Sequence, residues 1–495
     1  MSTTPKRLSL PDGTEAASGA RGAAPVAGRG TLFLFLARLA FMGGGLVISV
    51  LLARYLGPRT FGIYGLVMSL LTWAEFVIGS GGPGSIARLA PRFDRDPAFA
   101  RIAQGLVLAA GFAVAGIGWL AAPVLARLFG LDDGWLFTIA FADVPLMAMV
   151  FGYHGLLYAR GRLELLAAAL ALQVAVKTAA IGIAALAGFG IAAMIGAHLL
   201  GTAAALLLLL ARLPTPPGRP RPPLAGALIA AALPITAYAL LYQAQANLGL
   251  WFLGALGEVA REATGHFAAA LNVARVLTLV PSVLVGVLFA KVAEEAARGR
   301  HPQAAQEVGA SLRFALLLLM PAVVALAMEA EGIVDLLYGE AYATTAATLR
   351  WLALAIALMG LLDILLHVLL AAGDNRQALL ILASTLAIFA CASAFLTFAS
   401  AEGVAIAMGG SALLGLGFAF FVVRRFLRHP LEDVRAGRIL LSCLLMAGVL
   451  WLWESSGPEL LLEFAAAGSL YLLLLPAVGV VSLDEVRRLI AGEAG

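Results

Sequence analysis

The chain has 495 residues, of which 62% are apolar and 13% charged, and its mean hydropathy is +0.96. Soluble domains average about 45 to 50% apolar residues, so this composition excludes a soluble protein and reads as a polytopic membrane protein. The formal net charge is +4, but the basic residues lie in short connections between apolar runs, which argues against a nucleic-acid partner.

Residues 1–29 are rich in Gly, Ala, Ser and Pro and carry Lys6, Arg7, Arg21 and Arg29. They are too polar and too long for the front of a cleaved signal peptide and read as a disordered cytoplasmic tail. A helix needs about 20 apolar residues to cross a hydrocarbon core of about 30 Å, and backbone in lipid must satisfy its own hydrogen bonds. The runs that follow are that long and lack the alternation of barrel strands. They predict an all-α fold of fourteen transmembrane helices, beginning near Thr31, Thr60, Phe99, Trp135, Leu163, Ile191, Leu224, Gly265, Val308, Thr345, Gln377, Val404, Arg438 and Glu459. Six helices fill an N-terminal lobe, residues 30–212, and a proline-rich cytoplasmic linker, residues 213–223, follows it. Pro residues stiffen such a segment toward extended geometry. Six more helices fill a second lobe, residues 224–428. A cytoplasmic loop (429–437), two final helices (438–482) and a tail (483–495) complete the chain. In that tail Asp484 to Leu489 reads as a short amphipathic end whose Arg487 and Arg488 contact headgroups.

Orientation follows from Lys and Arg, which accumulate on the cytoplasmic side of short loops. With the N-terminus inside, the inner segments hold Arg88, Arg92, Arg95, Arg101, Arg160, Arg162, Arg212, Arg219, Arg221, Lys291, Arg298, Arg300 and Arg376, and a cluster at Arg424, Arg425, Arg428, Arg435 and Arg438. The outer segments hold only Arg54, Arg59, Arg127, Arg261 and Arg350. Trp119, Trp135, Trp251, Trp351, Trp451 and Trp453 then fall near outer ends, at the headgroup level that indole prefers, and only Trp73 is mid-span. An even helix count returns the C-terminus to the cytoplasm. Cys391 and Cys443 lie inside apolar runs, so neither a disulfide nor a metal site is expected, and packing is their reading.

Four echoes recur in order. Leu56-Gly57 before Gly62 and Tyr64 returns as Leu256-Gly257 before Gly265 and Phe267. "LARLFG" (Leu125 to Gly130) returns as "VDLLYG" (Val334 to Gly339), and "LYARGR" (Leu157 to Arg162) as "LLAAGDNR" (Leu369 to Arg376). Gly190-Ile191-Ala192 returns as Gly403-Val404-Ala405. They predict a duplicated six-helix unit, and because six is even, a parallel pseudo-repeat whose two lobes face a central cavity. Pro145, Pro234, Pro281 and Pro321 interrupt helices in both copies as candidate hinges or static kinks. Gly57 and Pro58 predict a turn outside the membrane, Gly62 a close start of helix two against helix one, Tyr64 an interfacial anchor, and Gly43 to Gly45 close helix packing.

On Leu51 to Tyr64, "ARGRLEL" (Ala159 to Leu165), "LYGEAY" (Leu337 to Tyr342) and the repeat plan, the chain resembles the polysaccharide export and flippase branch of the multidrug/oligosaccharidyl-lipid/polysaccharide exporter superfamily. The resemblance covers roughly Thr31 to Leu483. It implies movement of an undecaprenyl-diphosphate-linked oligosaccharide from the cytoplasmic to the outer leaflet of a bacterial inner membrane by alternating access. It also implies cavity arginines on the first and eighth helices, at Arg38 and Arg275. The lipid II flippases of this group carry an acid after the first-helix arginine, where this chain has Leu39.

An ionisable group at bilayer depth costs roughly 2.5 to 3.5 kcal/mol on insertion scales, so each should face a cavity or a partner. Arg38, Glu75, Asp143, His154, Lys177, His198, Arg275, Asp363 and His367 lie within the predicted spans. Residues three or four apart share a helix face, which groups Asn272 with Arg275 and Thr278, Tyr238 with Tyr242 and Gln245, Gln173 with Lys177, and Asp363 with His367. Arg38, Lys177 and Arg275 are the candidate diphosphate ligands, since guanidinium forks match phosphate oxygens and Lys adds a point charge. Gln173, Tyr238, Tyr242, Gln245 and Asn272 are the candidate polar lining. Glu75, Asp143, Asp363 and His367 are candidates for ion coupling, because burial lets a carboxylate titrate. The competing reading pairs the three acids with the three bases, and the histidines read more simply as satisfied core residues.

No Walker loop, Cys/His metal spacing or catalytic triad pattern occurs in the sequence, so no cofactor, metal or catalytic residue is assigned and the chain is not read as an enzyme. A multidrug or cation antiporter of the same superfamily is the chief rival, a lipid II flippase another. Membrane lipid and a glycan polymerase or ligase are the expected neighbours.

Overall fold

The computed structural model describes residues 29–92, 98–132, 134–215, 218, 222–396, 400–427, 435–453 and 457–480. The features expected of the two tails, including the amphipathic end at Asp484 to Leu489, lie outside the described residues, as do most side chains of residues 31–42, that of Arg38 among them. Every described element is helical, and no strand occurs among the described residues. In chain order the α-helices are α1 (Arg29–Gly79), α2 (Gly82–Leu89), α3 (Phe99–Leu128), α4 (Trp135–Phe141), α5 (Asp143–Ala159), α6 (Leu163–Leu186), α7 (Ile191–Arg212), α8 (Pro222–Ala255) and α9 (Arg261–Ala274). Then follow α10 (Leu279–Ala297), α11 (His301–Met328), α12 (Ala330–Tyr338), α13 (Thr345–Ala371), α14 (Asn375–Leu396), α15 (Ala401–Phe426), α16 (Ala436–Leu452) and α17 (Leu460–Ala477).

Twelve helical stretches among the described residues are long and apolar enough to cross a membrane. The chain is a multi-span membrane protein. The first stretch takes in both arms of α1, which part at Gly57 (φ 71°, ψ 169°), and α16 is an apolar helix too short for that count. Gly57 stands in a backbone region that disfavours any side chain, so the expected turn is a kink on a single glycine.

Two of the expected spans are broken. Between α4 and α5 the chain bends at Ala142, and between α9 and α10 lies a 3-10 turn, Arg275–Thr278. Pro145 and Pro281 are each the third residue of the helix after the break, where a missing N–H loses no intrahelical bond. Pro234 and Pro321 lie inside α8 and α11.

The sequence echoes have conformational counterparts. Gly57 and Gly257, Gly130 and Gly339, and Gly161 and Gly373 all have positive φ. After Gly161 the Arg162 amide bonds back to Leu157, and after Gly373 the Asp374 amide bonds back to Leu369, so both helices end in the same left-handed glycine cap. The fourth echo is offset: Gly190 precedes α7 in extended conformation, whereas α15 is capped by the Ser400 hydroxyl accepting from the Gly403 amide. Packing order repeats as well. Before the linker α1 packs on α6, α6 on α7, α3 on α5 and α5 on α7; after it α8 packs on α14, α14 on α15, α11 on α13 and α13 on α15. The pair α16–α17 leans on α11. What is described of the linker is tied to the N-terminal half, through Tyr153 donating to the Thr215 carbonyl and the Gly218 amide donating to the Arg101 carbonyl.

The halves meet along α1. A Cβ on Gly62 would lie 2.8 Å from the Gly265 nitrogen, and one on Gly265 would overlap the Pro58 carbonyl oxygen. Gly62 therefore serves the approach of α9, not that of helix one to helix two. Beside this contact Arg59 pairs with Glu258, and Arg261, 4% exposed, donates to the Glu258 carboxylate and to the carbonyls of Phe129 and Gly130. Arg54 caps the end of α12 through the Leu336 and Leu337 carbonyls, and Tyr342 donates to the Ala53 carbonyl. Toward the other end of α1, Trp73 donates to the Leu240 carbonyl and meets Trp251 edge-on at 5.9 Å. Trp251 thus packs between the halves, its indole N–H donating to Ser69. Of the Gly43 to Gly45 triplet only Gly44 is crowded, against Val174. Cys443 is buried as expected, whereas Cys391 is exposed on its helix, contrary to the packing role expected of it.

Gly265→Val should lower the stability of the detergent-solubilised protein by about 1 to 3 kcal/mol, as overpacking does. Gly45→Ala, where a Cβ meets nothing within 4 Å, should leave the thermal midpoint unchanged. Equal midpoints for both variants would contradict the close approach.

Candidate functional site

Two adjoining cavities of about 560 and 910 Å³ share Phe61, Tyr64, Met68, Thr72, Asn272, Arg275 and Ser282 in their walls. The smaller is enclosed by α1, α8, α9, α13 and residues 275–282, and the larger by α1, α5, α6, α7 and residues 272–283. Of the residues singled out from sequence, Asn272, Arg275, Tyr242 and Asp363 line the first chamber, and Glu75, Asp143, Gln173 and Lys177 the second.

Helix breaks position two of these charges. Arg275 caps the C-terminus of α9, and Asp143 opens the first turn of α5. A cation at a helix C-terminus and an anion at an N-terminus each complement the local backbone dipole, which offsets part of the cost of placing them in the membrane. Arg275 donates to the Asn247 side-chain oxygen at 2.7 Å. Among the described residues it has no carboxylate partner, so the acid–base pairing that competes with the diphosphate reading does not occur at this arginine. Asn272, on the same helix, donates to Ser49 at 2.9 Å and ties the shared wall to α1.

In the larger chamber Gly201 is the local device. A Cβ there would meet the Gln173 carbonyl oxygen at 2.7 Å and Lys177 Cβ at 2.9 Å, so glycine lets α7 lie directly on the polar stripe of α6. The approach brings Thr202 within reach of both neighbours: Gln173 Nε2 donates to Thr202 Oγ1 at 3.3 Å, and Thr202 Oγ1 donates to Asp143 Oδ2 at 3.1 Å. Glu75, Asp143 and Lys177 are mutual electrostatic neighbours, and Lys177 also acts on His198.

In the smaller chamber Tyr238 donates to Asp363 at 2.5 Å, His367 approaches the same carboxylate at 3.2 Å, and the Tyr238 ring stands edge-on to His367 at 4.9 Å. Tyr238 and His367 thus hold Asp363 from behind instead of lining the space. Gln245 departs from expectation: fully buried, it donates to Ser411 of α15 at 3.2 Å and faces the interior of the C-terminal half.

Three contributors were not singled out as lining. Tyr64 is buried in both cavity walls and hydrogen-bonded to His198 at 2.7 Å, so it is a site residue and not an interfacial anchor. His198 and Asn247 join it. The signal for Asn247 was available, since it stands four residues after Gln243 and bonds that carbonyl. Tyr242, Gln243 and Asn247 face the cavity, and Tyr238 and Gln245 of the expected stripe do not.

The model of the family described as polysaccharide biosynthesis protein matches residues 51–347. No curated protein matches the chain. Among solved structures, the lipid II flippase MurJ in an inward closed conformation superposes with a TM-score of 0.74 at 13% identity, covering 90% of this chain and 98% of that one. An inward-facing multidrug resistance MATE family transporter of the MOP superfamily gives 0.61 at 17% identity, covering 78% and 95%. An outward-facing structure of such a transporter gives 0.55 at 17% identity, covering 80% and 96%. At these identities the likeness is one of fold.

Tyr238→Phe removes a hydrogen bond to a carboxylate and should cost about 2 kcal/mol of stability in thermal unfolding. Tyr242→Phe, which removes no such bond among the described residues, should not; similar losses in both would refute the anchoring of Asp363.

Proposed function

The chain belongs to the polysaccharide biosynthesis protein family, and from that premise we propose that it is a flippase moving an undecaprenyl-diphosphate-linked oligosaccharide from the cytoplasmic to the outer leaflet. The bacterial inner membrane is its location in this reading, with both termini in the cytoplasm. Counting the two arms of α1 separately and adding α16 gives fourteen crossings, arranged as two six-helix lobes and a final pair. The repeated packing order and the paired left-handed glycines favour that plan.

The observation that carries the proposal is Arg275. It stands in the wall common to both chambers, bound only to neutral Asn247 among the described residues, and so keeps guanidinium donors for a diphosphate. Lys177, held among carboxylates, is the weaker of the basic candidates, and Arg38 lies along α1 with its side chain outside the described residues. Alternating access then consists of parting the lobes at one end of α1 and closing them at the other. The contacts of Arg59, Glu258, Arg261 and Gly265 form the outer closure, and those of Trp73 and Ser80 with α8 the inner one. Glu75 and Asp143 lend the antiporter reading its one specific support, since adjacent acids in a wet chamber suit an exchanged cation.

Depleting the protein should cause one undecaprenyl-linked saccharide to build up on the inner leaflet, and Arg275→Gln at normal abundance should lower glycan export at least about tenfold. Full export by Arg275→Gln would remove the diphosphate role. No lipid-linked saccharide accumulating, together with new sensitivity to cationic dyes, would favour the drug exporter.

A further inference from the structure

Resting on the reading of Arg275 as a diphosphate ligand, we propose that Asn247 is the positioning residue of that site. It aims the guanidinium while leaving its charge uncommitted, and its being an amide and not a carboxylate is what lets the site take an anion. Two arginines mark the ends of α9 and are held in opposite ways. Arg261, at its start, is tied to the Glu258 carboxylate and to the carbonyls of Phe129 and Gly130, which commits it to the closure between the halves. Arg275, at its end, is held by the Asn247 side chain at 2.7 Å. Its Nε and Nη1 have no acceptor among the described residues, and neither is fully buried.

Asn247 has one orientation open to it. It is 2% exposed, its Nδ2 donates to the Gln243 carbonyl one turn back on α8 at 2.8 Å, and its Oδ1 accepts from Arg275 Nη2. A carbonyl only accepts and a guanidinium only donates, so both neighbours demand the same placing of the amide oxygen and nitrogen. Gly249 keeps the two helices close enough for the bond: a Cβ there would lie 2.6 Å from the Phe267 ring of α9. Gln243, Asn247 and Arg275 all stand in the wall of the smaller chamber, so the brace reaches the guanidinium from α8. No carboxylate is needed to keep a cation at this depth, because the helix C-terminus already favours one. Asp363, the acid in the same wall, is engaged by Tyr238 and His367. An aspartate at position 247 could not donate to Gln243 and would take the guanidinium as a two-pronged ion pair, the geometry that a diphosphate requires of it.

The test is binding of a synthetic polyprenyl diphosphate and of the corresponding uncharged polyprenol to the purified full chain in detergent, read by native mass spectrometry, with thermal midpoints measured on the same samples. Asn247→Asp should weaken the diphosphate lipid at least about tenfold, the size of one charge-assisted hydrogen bond, while polyprenol binding and the thermal midpoint are kept. Asn247→Ala, which removes the brace without adding a competing charge, should weaken it about fivefold. In an Arg275→Gln background Asn247→Ala should have no further effect, because the brace acts through the guanidinium. Diphosphate binding by Asn247→Asp as tight as that of the unaltered chain, an equal loss for the polyprenol, or the same loss from Asn247→Ala with and without Arg275 overturns the positioning role and leaves the diphosphate reading standing. Arg275→Gln without effect on the diphosphate lipid overturns both.

Discussion

Where α1 crosses α9 there is no room for a methyl group on either backbone. Gly62 faces the Gly265 nitrogen and Gly265 faces the Pro58 carbonyl, so the halves are joined by main chain against main chain. In a bilayer no hydrophobic effect drives one helix onto another; association rests on close packing and interhelical hydrogen bonds, and small residues permit both. The contact fixes where the halves touch, and hence where they stand apart. Arg59, Glu258 and Arg261 gather around it, and the cavities open beyond it, walled by the next turns of the same two helices.

The residues in that contact are themselves echo partners. Gly62 follows the kink at Gly57 as Gly265 follows the left-handed Gly257, so a repeat of the chain has become its own binding surface. Self-pairing of this kind is what a parallel duplication about an axis along the membrane normal produces where the copies meet. The chemistry lies off the repeat. Arg275 and Asp143 both stand at broken spans, yet they carry opposite charge, and their surroundings differ: a lone guanidinium bridging to Asn247 in one case, a lattice of Thr202, Gln173, Glu75 and Lys177 in the other. The packing order and the glycine turns recur in both halves, whereas the polar side chains that line the two chambers differ.

Broken helices are the recurring means of putting charge inside. Each break frees backbone groups whose dipoles favour a cation at the end of one segment and an anion at the start of the next. Arg275 and Asp143 take those two positions. Pro281 and Pro145 follow within the first turn of the succeeding helix, where the ring loses no hydrogen bond. Gly201 performs the complementary task for the uncharged groups, by letting α7 descend onto the stripe of α6.

Hydropathy alone determined the class and most of the helix starts, because a bilayer demands about 20 apolar residues and internally satisfied backbone. Turn glycines were equally legible, since few residues adopt positive φ, and the paired Gly130 and Gly339 or Gly161 and Gly373 stand out in one sequence. Arg275 was legible too, because an arginine at that depth has to face a cavity or a partner. Which face of each helix looks inward was decided only by tertiary structure. In a lipid-embedded bundle both the outer and the packed faces are apolar, so helical spacing groups residues without saying which group is wet. That is why Gln245 proved to face Ser411, why Asn247 two residues on faces the cavity, and why Tyr64 and Trp251 make their hydrogen bonds to neighbouring helices.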